Sequence, residues 1–398
     1  MNVFGIPLEF FIFGLTLIGI ATLHGRALPV AITGLLLTVV YKVSIMGLAG
    51  GGTWLVAFLG HEWPAFTNLL LLLVGFAVLA NQFERSAIPD AMPRLLPDNW
   101  TGGLVLLAMV FVLSIFLDNI AAAIIGGVVA KHVYRGRVST GYLAGIVAAS
   151  NAGGAGSVIG DTTTTMMWIH GVSPLAVLDA FVASGVAFAV FGPLVSQQQH
   201  RHCPISKDIS ASAPNINWSR GIIVLILLAA IFSVNLAGNA FFPGVLDAVP
   251  LLGAGLWIAI LLTALWRQPD WSVVPGSVKG AIFLVSLVAT ASMMPVERLP
   301  AASWQTALGL GFLSAVFDNI PLTALALRQG GYDWGIVAFA VGFGGSMVWF
   351  GSSAGVALSN LYPEARSVAA WLRLGWSIAL AYVGGFFALL LSRGWHPT

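Results

Sequence analysis

Long apolar runs alternate with short polar breaks over most of the chain. Ten of these runs are about twenty residues long, which is the length that a helix needs to cross the apolar core of a bilayer. We therefore predict five membrane spans in each half of the chain, with a polar linker at 196–220 between the halves. The predicted spans cover about 4–22, 27–47, 64–82, 141–168, 172–195, 221–238, 248–266, 278–295, 332–358 and 367–392.

Two further apolar segments, at about 101–130 and 304–327, carry an Asp-Asn pair near the middle, where a lipid-facing helix would have none. The pairs lie in LSIFLDNI (113–120) and LSAVFDNI (313–320). Each follows a Glu-Arg pair and precedes a glycine-rich stretch, GGAGSVIGD (153–161) in the first half and GGSMVWFGS (344–352) in the second. Because three features recur in the same order, we predict an internal repeat of the kind found in transporters.

The basic residues predict how the Asp-Asn segments enter the membrane. Lys and Arg concentrate in short cytoplasmic loops. If both segments are re-entrant hairpins, thirteen basic residues fall on one side and three on the other, whereas two full crossings give ten against six. We therefore predict an all-α polytopic membrane protein of two inverted repeats, 1–195 and 221–398. Each repeat has five transmembrane spans and one re-entrant hairpin, and one helix of each repeat is broken by glycines. The linker lies on the cytoplasmic side of the membrane, and both termini lie on the other side.

Composition agrees with this architecture and excludes several classes of protein. Of the 398 residues, 58% are hydrophobic and 8% are charged, whereas soluble domains carry about 25% charged residues. A single cysteine, Cys203, excludes an internal disulfide framework. No phosphate-binding loop, catalytic triad or nucleic-acid-binding motif is recognisable. We predict neither an enzyme, nor a cofactor, nor a nucleic-acid partner.

The glycine-rich stretches are the best candidates for a site. Irregular backbone at membrane depth is tolerated only where protein or a water-filled cavity surrounds it. Close helix packing through small residues is one explanation, and an unwound helix with free carbonyls and flexible glycines is the other. The glycines concerned are Gly153, Gly154, Gly156, Gly160, Gly344, Gly345 and Gly351.

Three aspartates fall in these irregular segments, where a charge costs several kcal/mol and indicates function. Capping of a helix is the structural alternative. Desolvation favours the protonated carboxyl group and a nearby cation favours the ionised one, so one aspartate can exchange a proton for Na⁺ or Li⁺. Hard cations prefer oxygen ligands, and no transition metal is expected. The candidate ligands are Asp118, Asn119, Asn151, Asp161, Thr162, Thr163, Asp318, Asn319, Ser346, Ser352 and Ser353.

Three other polar residues keep two interpretations each. Lys42 lies inside a predicted span and is either a counter-ion to a carboxylate of the site or a side chain that extends to the interface. Asp179 faces a neighbouring helix or a cavity. His170 is a pH sensor or a plain interfacial residue. The residues HRHC at 200–203 are metal-ligand types, but no second cluster accompanies them.

The motifs NAGGAGSVIGDTTTTMMW (151–168), DNIPLT (318–323) and GFGGSMVWFGSSAGVAL (342–358) resemble the ion transporter superfamily, and most closely its NhaD-type sodium/proton antiporters. The resemblance covers about 27–392. It implies inverted repeats, hairpins that meet near the membrane midplane, a homodimer and an elevator-like movement. Ser352 and Ser353 stand where the first repeat has Asp161 and Thr162, so the two halves are not chemically equivalent.

Three functions fit these patterns. Antiport of Na⁺ or Li⁺ against protons is favoured by the acidic residues, and it places the protein in the lipid bilayer of the inner (plasma) membrane. A Na⁺-coupled or exchanging transporter of an organic anion, such as citrate or a dicarboxylate, would use the neutral polar groups and helix N-termini. The third possibility is a channel or a membrane scaffold without transport activity. It is disfavoured because two broken repeats that carry acidic residues are costly to keep without transport.

Overall fold

A computed structural model describes residues 2–3, 6–23, 26–46, 51–206, 215–241 and 248–398. Two short antiparallel strands, β1 (Asn2–Val3) and β2 (Ile6–Pro7), precede the first helix. The rest of the described secondary structure is helical, which confirms the predicted all-α class. The first-half helices are α1 Leu8–Thr22, α2 Ala27–Met46, α3 Gly51–Glu84, α4 Ile88–Leu95, α5 Trp100–Phe116, α6 Asn119–Val133, α7 Thr140–Ala155, α8 Thr162–Ile169, α9 Pro174–Leu178 and α10 Ala180–His202.

The second half continues the helical pattern with several short 3₁₀ turns between its helices. Its α-helices are α11 Trp218–Phe241, α12 Leu251–Ala264, α13 Val274–Ser292, α14 Trp304–Ser314, α15 Asn319–Gln329, α16 Trp334–Gly344, α17 Ser353–Leu361, α18 Val368–Leu374 and α19 Trp376–Arg393. Its 3₁₀ turns are Trp271–Val273, Val296–Arg298, Gly345–Met347 and Pro363–Arg366.

Several helices have the length and composition of membrane spans. Among the described residues six are long and apolar enough to cross a bilayer, and α5, α6 and α12 are shorter apolar helices. Together they confirm a polytopic membrane protein. The six stretches are Ala27–Ser44, Thr53–Glu84, Pro174–His202, Trp218–Gly238, Trp271–Ser292 and Trp376–Arg393.

Two helices extend beyond the apolar runs that predict them. Helix α3 begins at Gly51 rather than near 64 and contains Pro64. Helix α10 continues to His202, into the predicted linker, because the buried Gln199 gives its polar last turn hydrogen-bond partners. Hydropathy marks where a helix enters an apolar medium, and hydrogen bonds decide where it ends. Residues 207–214 of the linker lie outside the described residues.

The chain forms two compact units, and each unit takes segments from both halves of the sequence. The first unit comprises 1–81, 222–300 and 324–329. In it, α1 packs on α2, and α2 packs on α13. The Trp257 side chain of α12 donates to the Leu71 carbonyl of α3 at 2.9 Å. Lys42 forms an ion pair with Glu9 of the neighbouring helix α1 (Nζ–Oε1 3.2 Å), so its partner is this glutamate rather than a carboxylate of the site.

The second unit comprises 82–221, 301–323 and 330–398. Helices α5 and α10 pack on α7, α14 packs on α16, and α10 packs on α19. Helix α16 is buried along its whole length, and α7 is buried from Gly141 to Ala155. These two helices form the centre of the unit, and all eleven candidate ligands belong to it.

Candidate cation-binding site

The first glycine-rich stretch interrupts a helix, as predicted. Helix α7 ends at Ala155 and α8 begins at Thr162. Asp161 caps α8, because its Oδ1 accepts a hydrogen bond from the Thr163 amide at 3.0 Å. The hydroxyl of Thr164 donates to the Ser157 carbonyl at 2.5 Å, and that of Thr165 to the Val158 carbonyl at 2.8 Å. The threonine run therefore satisfies carbonyls that the break would otherwise leave free.

Glycine is required in the break because another segment passes too close for a side chain. A Cβ atom at Gly160 would overlap the carbonyl oxygen of Ser114, and one at Gly153 would overlap that of Phe111. Neither glycine has a positive φ, so the requirement is space rather than left-handed backbone. The other glycines of this stretch, Gly154 and Gly156, face the Gly160 carbonyl and the Phe181 ring.

The second break repeats these approaches. A Cβ at Gly344 would overlap the Gly311 carbonyl, and one at Gly351 would press on the carbonyls of Ser314 and Ala315. Gly345 in turn faces the Gly351 carbonyl. Gly344 and Gly351 occupy the positions that Gly153 and Gly160 occupy in the first break. In both halves, therefore, the glycine-rich break packs closely against the end of the helix before the Asp-Asn pair, which is α5 in the first half and α14 in the second.

A buried chain of amides and hydroxyls joins the two halves of the sequence. The Asn119 amide donates to the Asn151 side-chain oxygen at 3.1 Å. The Asn151 amide donates in turn to the Ser346 hydroxyl at 2.9 Å and to the Ser352 hydroxyl at 3.2 Å. All four side chains are almost completely buried. Four predicted ligands therefore lie in one cluster, in which the bonded pair Asn151 and Ser352 is 201 residues apart in sequence.

Asp161 has the most unusual surroundings of the three aspartates. It is 1% exposed, and its Oδ2 has no hydrogen-bond partner among the described residues. The Ser114 hydroxyl is also buried without a partner, and the buried Thr163 hydroxyl faces the Asp161 carboxylate. Oδ2 lies beside α16, 3.2 Å from the position of a Cβ on Gly342. A buried carboxylate oxygen without a partner is costly, and a proton or a bound cation removes that cost.

The other two aspartates, Asp118 and Asp318, directly precede the helices α6 and α15, and both are partly exposed. Asp318 accepts from the Ile320 amide and from the Ser353 hydroxyl, each at 3.1 Å. Asp118 precedes α6, and its side chain makes no capping hydrogen bond. Asp161 interacts electrostatically with both aspartates. When ionised the three carboxylates repel one another, and a cation among them relieves the repulsion.

The remaining predicted residues divide into two groups. Thr162 and Asn319 are buried at the first positions of α8 and α15. No hydrogen bond between described residues joins their side chains to the cluster. His170 and Asp179 have partners elsewhere: the His170 Nδ1 bonds to the Met166 carbonyl at 2.9 Å, and Asp179 pairs with the half-exposed Arg393 at 3.4 Å.

Sequence reasoning missed three residues of this region. Ser157 donates to the Ile115 carbonyl at 2.6 Å and accepts from the Gly160 amide at 3.3 Å, and so ties the break to α5. Gly342 makes room for the Asp161 carboxylate, and Ser114 supplies an unpartnered hydroxyl. Ser114 lies in the repeated octapeptide opposite Ser314, and this repetition could have identified it. Ser157 and Gly342 carry no comparable signal.

The donor set consists of oxygen atoms. Carboxylate, amide and hydroxyl oxygens suit a hard cation, and we extend this preference from calcium and magnesium to sodium. Within the described ranges, no group of three or more His, Cys, Asp or Glu side chains could hold a metal ion.

Comparison with known proteins identifies relatives, although no protein-family model matches the chain. The chain is 31% identical to sodium/proton antiporter 1 of Arabidopsis thaliana, over 63% of the chain and 49% of that protein. It thus spans about half the length of this relative. It is 26% identical to the Na⁺/H⁺ antiporter NhaD of Vibrio parahaemolyticus over 76% of the chain and 84% of that protein. It is 25% identical to the Na⁺/H⁺ antiporter NhaD of Halomonas elongata, over 82% of the chain and 75% of that protein. The predicted resemblance is confirmed: the chain is similar to the NhaD-type sodium/proton antiporters.

Proposed function

We propose that this protein exchanges Na⁺ or Li⁺ for protons, and that the cation and the proton compete for the Asp161 carboxylate. The observation that carries the proposal is the buried Asp161 Oδ2 without a hydrogen-bond partner. The buried Thr163 hydroxyl and the neighbouring Asp118 and Asp318 carboxylates complete the site. The relatives named as sodium/proton antiporters support the same function.

Competition for one carboxylate gives exchange a simple physical basis. Without a cation, burial and the neighbouring carboxylates favour the protonated group. A bound cation supplies the compensating charge, so the proton leaves as the cation arrives. The hydrogen bonds that link the side chains of Asn119, Asn151, Ser346 and Ser352 hold the two glycine-rich breaks together. These side chains also offer further oxygen ligands.

The helix N-termini at the site argue against an organic anion as the substrate. Helices α6, α8, α15 and α17 begin there, and N-termini attract anions. Three of the four are already preceded by a carboxylate of the chain: Asp118, Asp161 and Asp318. A citrate or dicarboxylate would be repelled by these groups, whereas a cation would be attracted.

Our proposal includes the architecture that the sequence predicts. Residues 1–195 and 221–398 are inverted repeats, the Asp-Asn segments are re-entrant hairpins, and 196–220 is a cytoplasmic linker. The recurring helix order and the matched glycine approaches support the duplication, and the asymmetry of basic residues supports the inversion. We place the protein as a homodimer in the inner (plasma) membrane.

Reporter fusions test this topology. A reporter inserted in the 196–220 linker is expected on the cytoplasmic side, and one fused after Thr398 on the opposite side. An odd number of crossings lies between the two positions only if the second Asp-Asn segment returns to the side that it entered. Finding both reporters on one side contradicts the hairpin assignment and the inverted repeat.

Everted membrane vesicles test the transport function. In vesicles that have been acidified by respiration, addition of NaCl or LiCl is expected to release part of the pH gradient. Choline chloride controls for the anion, and vesicles without the protein control for background exchange. Citrate or succinate should produce no response. A gradient that responds to these anions and not to Na⁺ or Li⁺ contradicts antiport and supports the organic-anion transporter.

A further inference from the structure

A tight turn after α6 brings several basic side chains together. The backbone is left-handed at Arg135 (φ 51°) and at Gly136 (φ 75°). The Gly136 amide donates to the Lys131 carbonyl at 2.8 Å, which folds the turn back onto the last turn of α6. Lys131, Arg135 and Arg137 lie within one stretch of seven residues, and the turn holds this stretch in a fixed conformation. All three side chains are exposed.

A buried glutamine fixes the end of α10 to this turn. The Gln199 side chain accepts from the Ser139 amide at 2.8 Å and donates to the Arg137 carbonyl at 3.0 Å. The Ser206 amide, just beyond α10, donates to the Val133 carbonyl at 2.8 Å. These contacts place the exposed Arg201 next to the turn. We name Lys131, Arg135, Arg137 and Arg201 the basic cap.

The positive charge of the basic cap is not neutralised within the described part of the chain. None of the ion pairs there involves its four residues. Helix α4, which packs on α6, carries Asp90 and Arg94 and so adds no net charge. Within the described residues, the cap is a cluster of four positive charges without an acidic partner.

Exposed apolar side chains continue from the basic cap along the same helix faces. On α6, Ile124 and Val128 precede Lys131 at spacings of three or four residues, which places these three residues on one face of the helix. Val128 is 52% exposed. On α10, the exposed Leu194 lies two turns before Arg201. Because α10 belongs to a candidate span that ends at His202, the cap lies where a span leaves the apolar layer.

We propose that the basic cap binds the headgroup of an anionic phospholipid, with an acyl chain along Ile124 and Val128. Basic side chains at the end of a span attract anionic headgroups, and the apolar stripe fits a hydrocarbon chain. The stripe distinguishes a lipid from a free phosphate, which would use the charges alone. Since α6 begins at Asn119, the lipid would contact the same helix that carries one end of the candidate site.

Native mass spectrometry of the purified protein tests this binding without any transport assay. Phosphatidylglycerol is expected to remain bound, and phosphatidylcholine with the same acyl chains to dissociate. The double variant Arg135→Gln/Arg137→Gln is expected to bind phosphatidylglycerol about 30-fold more weakly, at about 1 kcal/mol for each basic residue. The matched control is Arg298→Gln/Arg328→Gln, which removes two exposed arginines elsewhere and should bind normally.

Two further measurements separate the lipid from other ligands. Phosphatidylglycerol should raise the thermal unfolding temperature of the wild type, and glycerol phosphate at the same concentration should not. Val128→Ser should weaken lipid binding while leaving all four charges in place. Equal retention of the two lipids, equal losses in both double variants, or a full shift with glycerol phosphate would each overturn the proposal.

Discussion

Asp161→Asn is expected to abolish Na⁺-dependent proton movement while the protein still inserts and folds. Asparagine keeps the size of the side chain and an oxygen that can accept from the Thr163 amide, so the cap of α8 survives. The variant loses the titratable charge that holds either the proton or the cation. The measurement is the response of the pH gradient in vesicles to added NaCl, with a fall of at least a hundredfold in initial rate.

The matched control for this substitution is Asp333→Asn. Asp333 also caps a helix, because its Oδ1 accepts from the Ile336 amide at 3.1 Å, but it lies outside the ligand cluster. This variant should transport normally. Thr163→Ala should retain exchange with weaker Na⁺ affinity, since a neutral ligand contributes less than a charged one. Normal exchange by Asp161→Asn would move the proposed carboxylate to Asp118 or Asp318.

Gly160→Ala is expected to have the second largest effect, on both folding and transport. The new methyl group would overlap the Ser114 carbonyl oxygen, and a backbone atom cannot rotate away as a side chain can. Overpacking of this kind costs about 1–3 kcal/mol. The break would have to move away from α5 and displace Asp161 with it. We expect a lower thermal unfolding temperature and a loss of most Na⁺-dependent proton movement.

Gly185→Ala provides the control, because nothing lies within 4 Å of a Cβ at this exposed position of α10. Alanine is also the better helix former. This variant should unfold at the wild-type temperature or slightly above it and should transport normally. If Gly160→Ala behaves in the same way, the close approach of the break to α5 is not important for the site.

The irregular elements could be predicted from the sequence because they contradict their surroundings. A run of glycines, an aspartate and four threonines in an apolar stretch indicates a break, and the break between Ala155 and Thr162 lies inside it. The first Asp-Asn pair likewise marks the end of α5 and the beginning of α6, and the second marks the end of α14 and the beginning of α15. Polar residues at membrane depth are costly, so their positions in the sequence carry strong information.

The contacts between distant segments could not be predicted in the same way. Asn151 and Ser346 are 195 residues apart, and no local pattern pairs them. The two compact units each combine segments of both halves, an arrangement that the order of the spans does not reveal. The length of α10 could not be predicted because its last turn is polar and resembles a loop in the sequence. The hydrogen bonds of the buried Gln199 stabilise this turn, and they join it to residues about sixty positions away.

Proton release on binding of Na⁺ tests competition at Asp161 most directly. Purified protein in detergent and weak buffer receives NaCl, and a pH indicator records the protons set free; choline chloride corrects for ionic strength. We predict release from the wild type and from Asp333→Asn, and none from Asp161→Asn. Unchanged release from Asp161→Asn, or no release from a wild type that is active in vesicles, would contradict competition between cation and proton for this carboxylate.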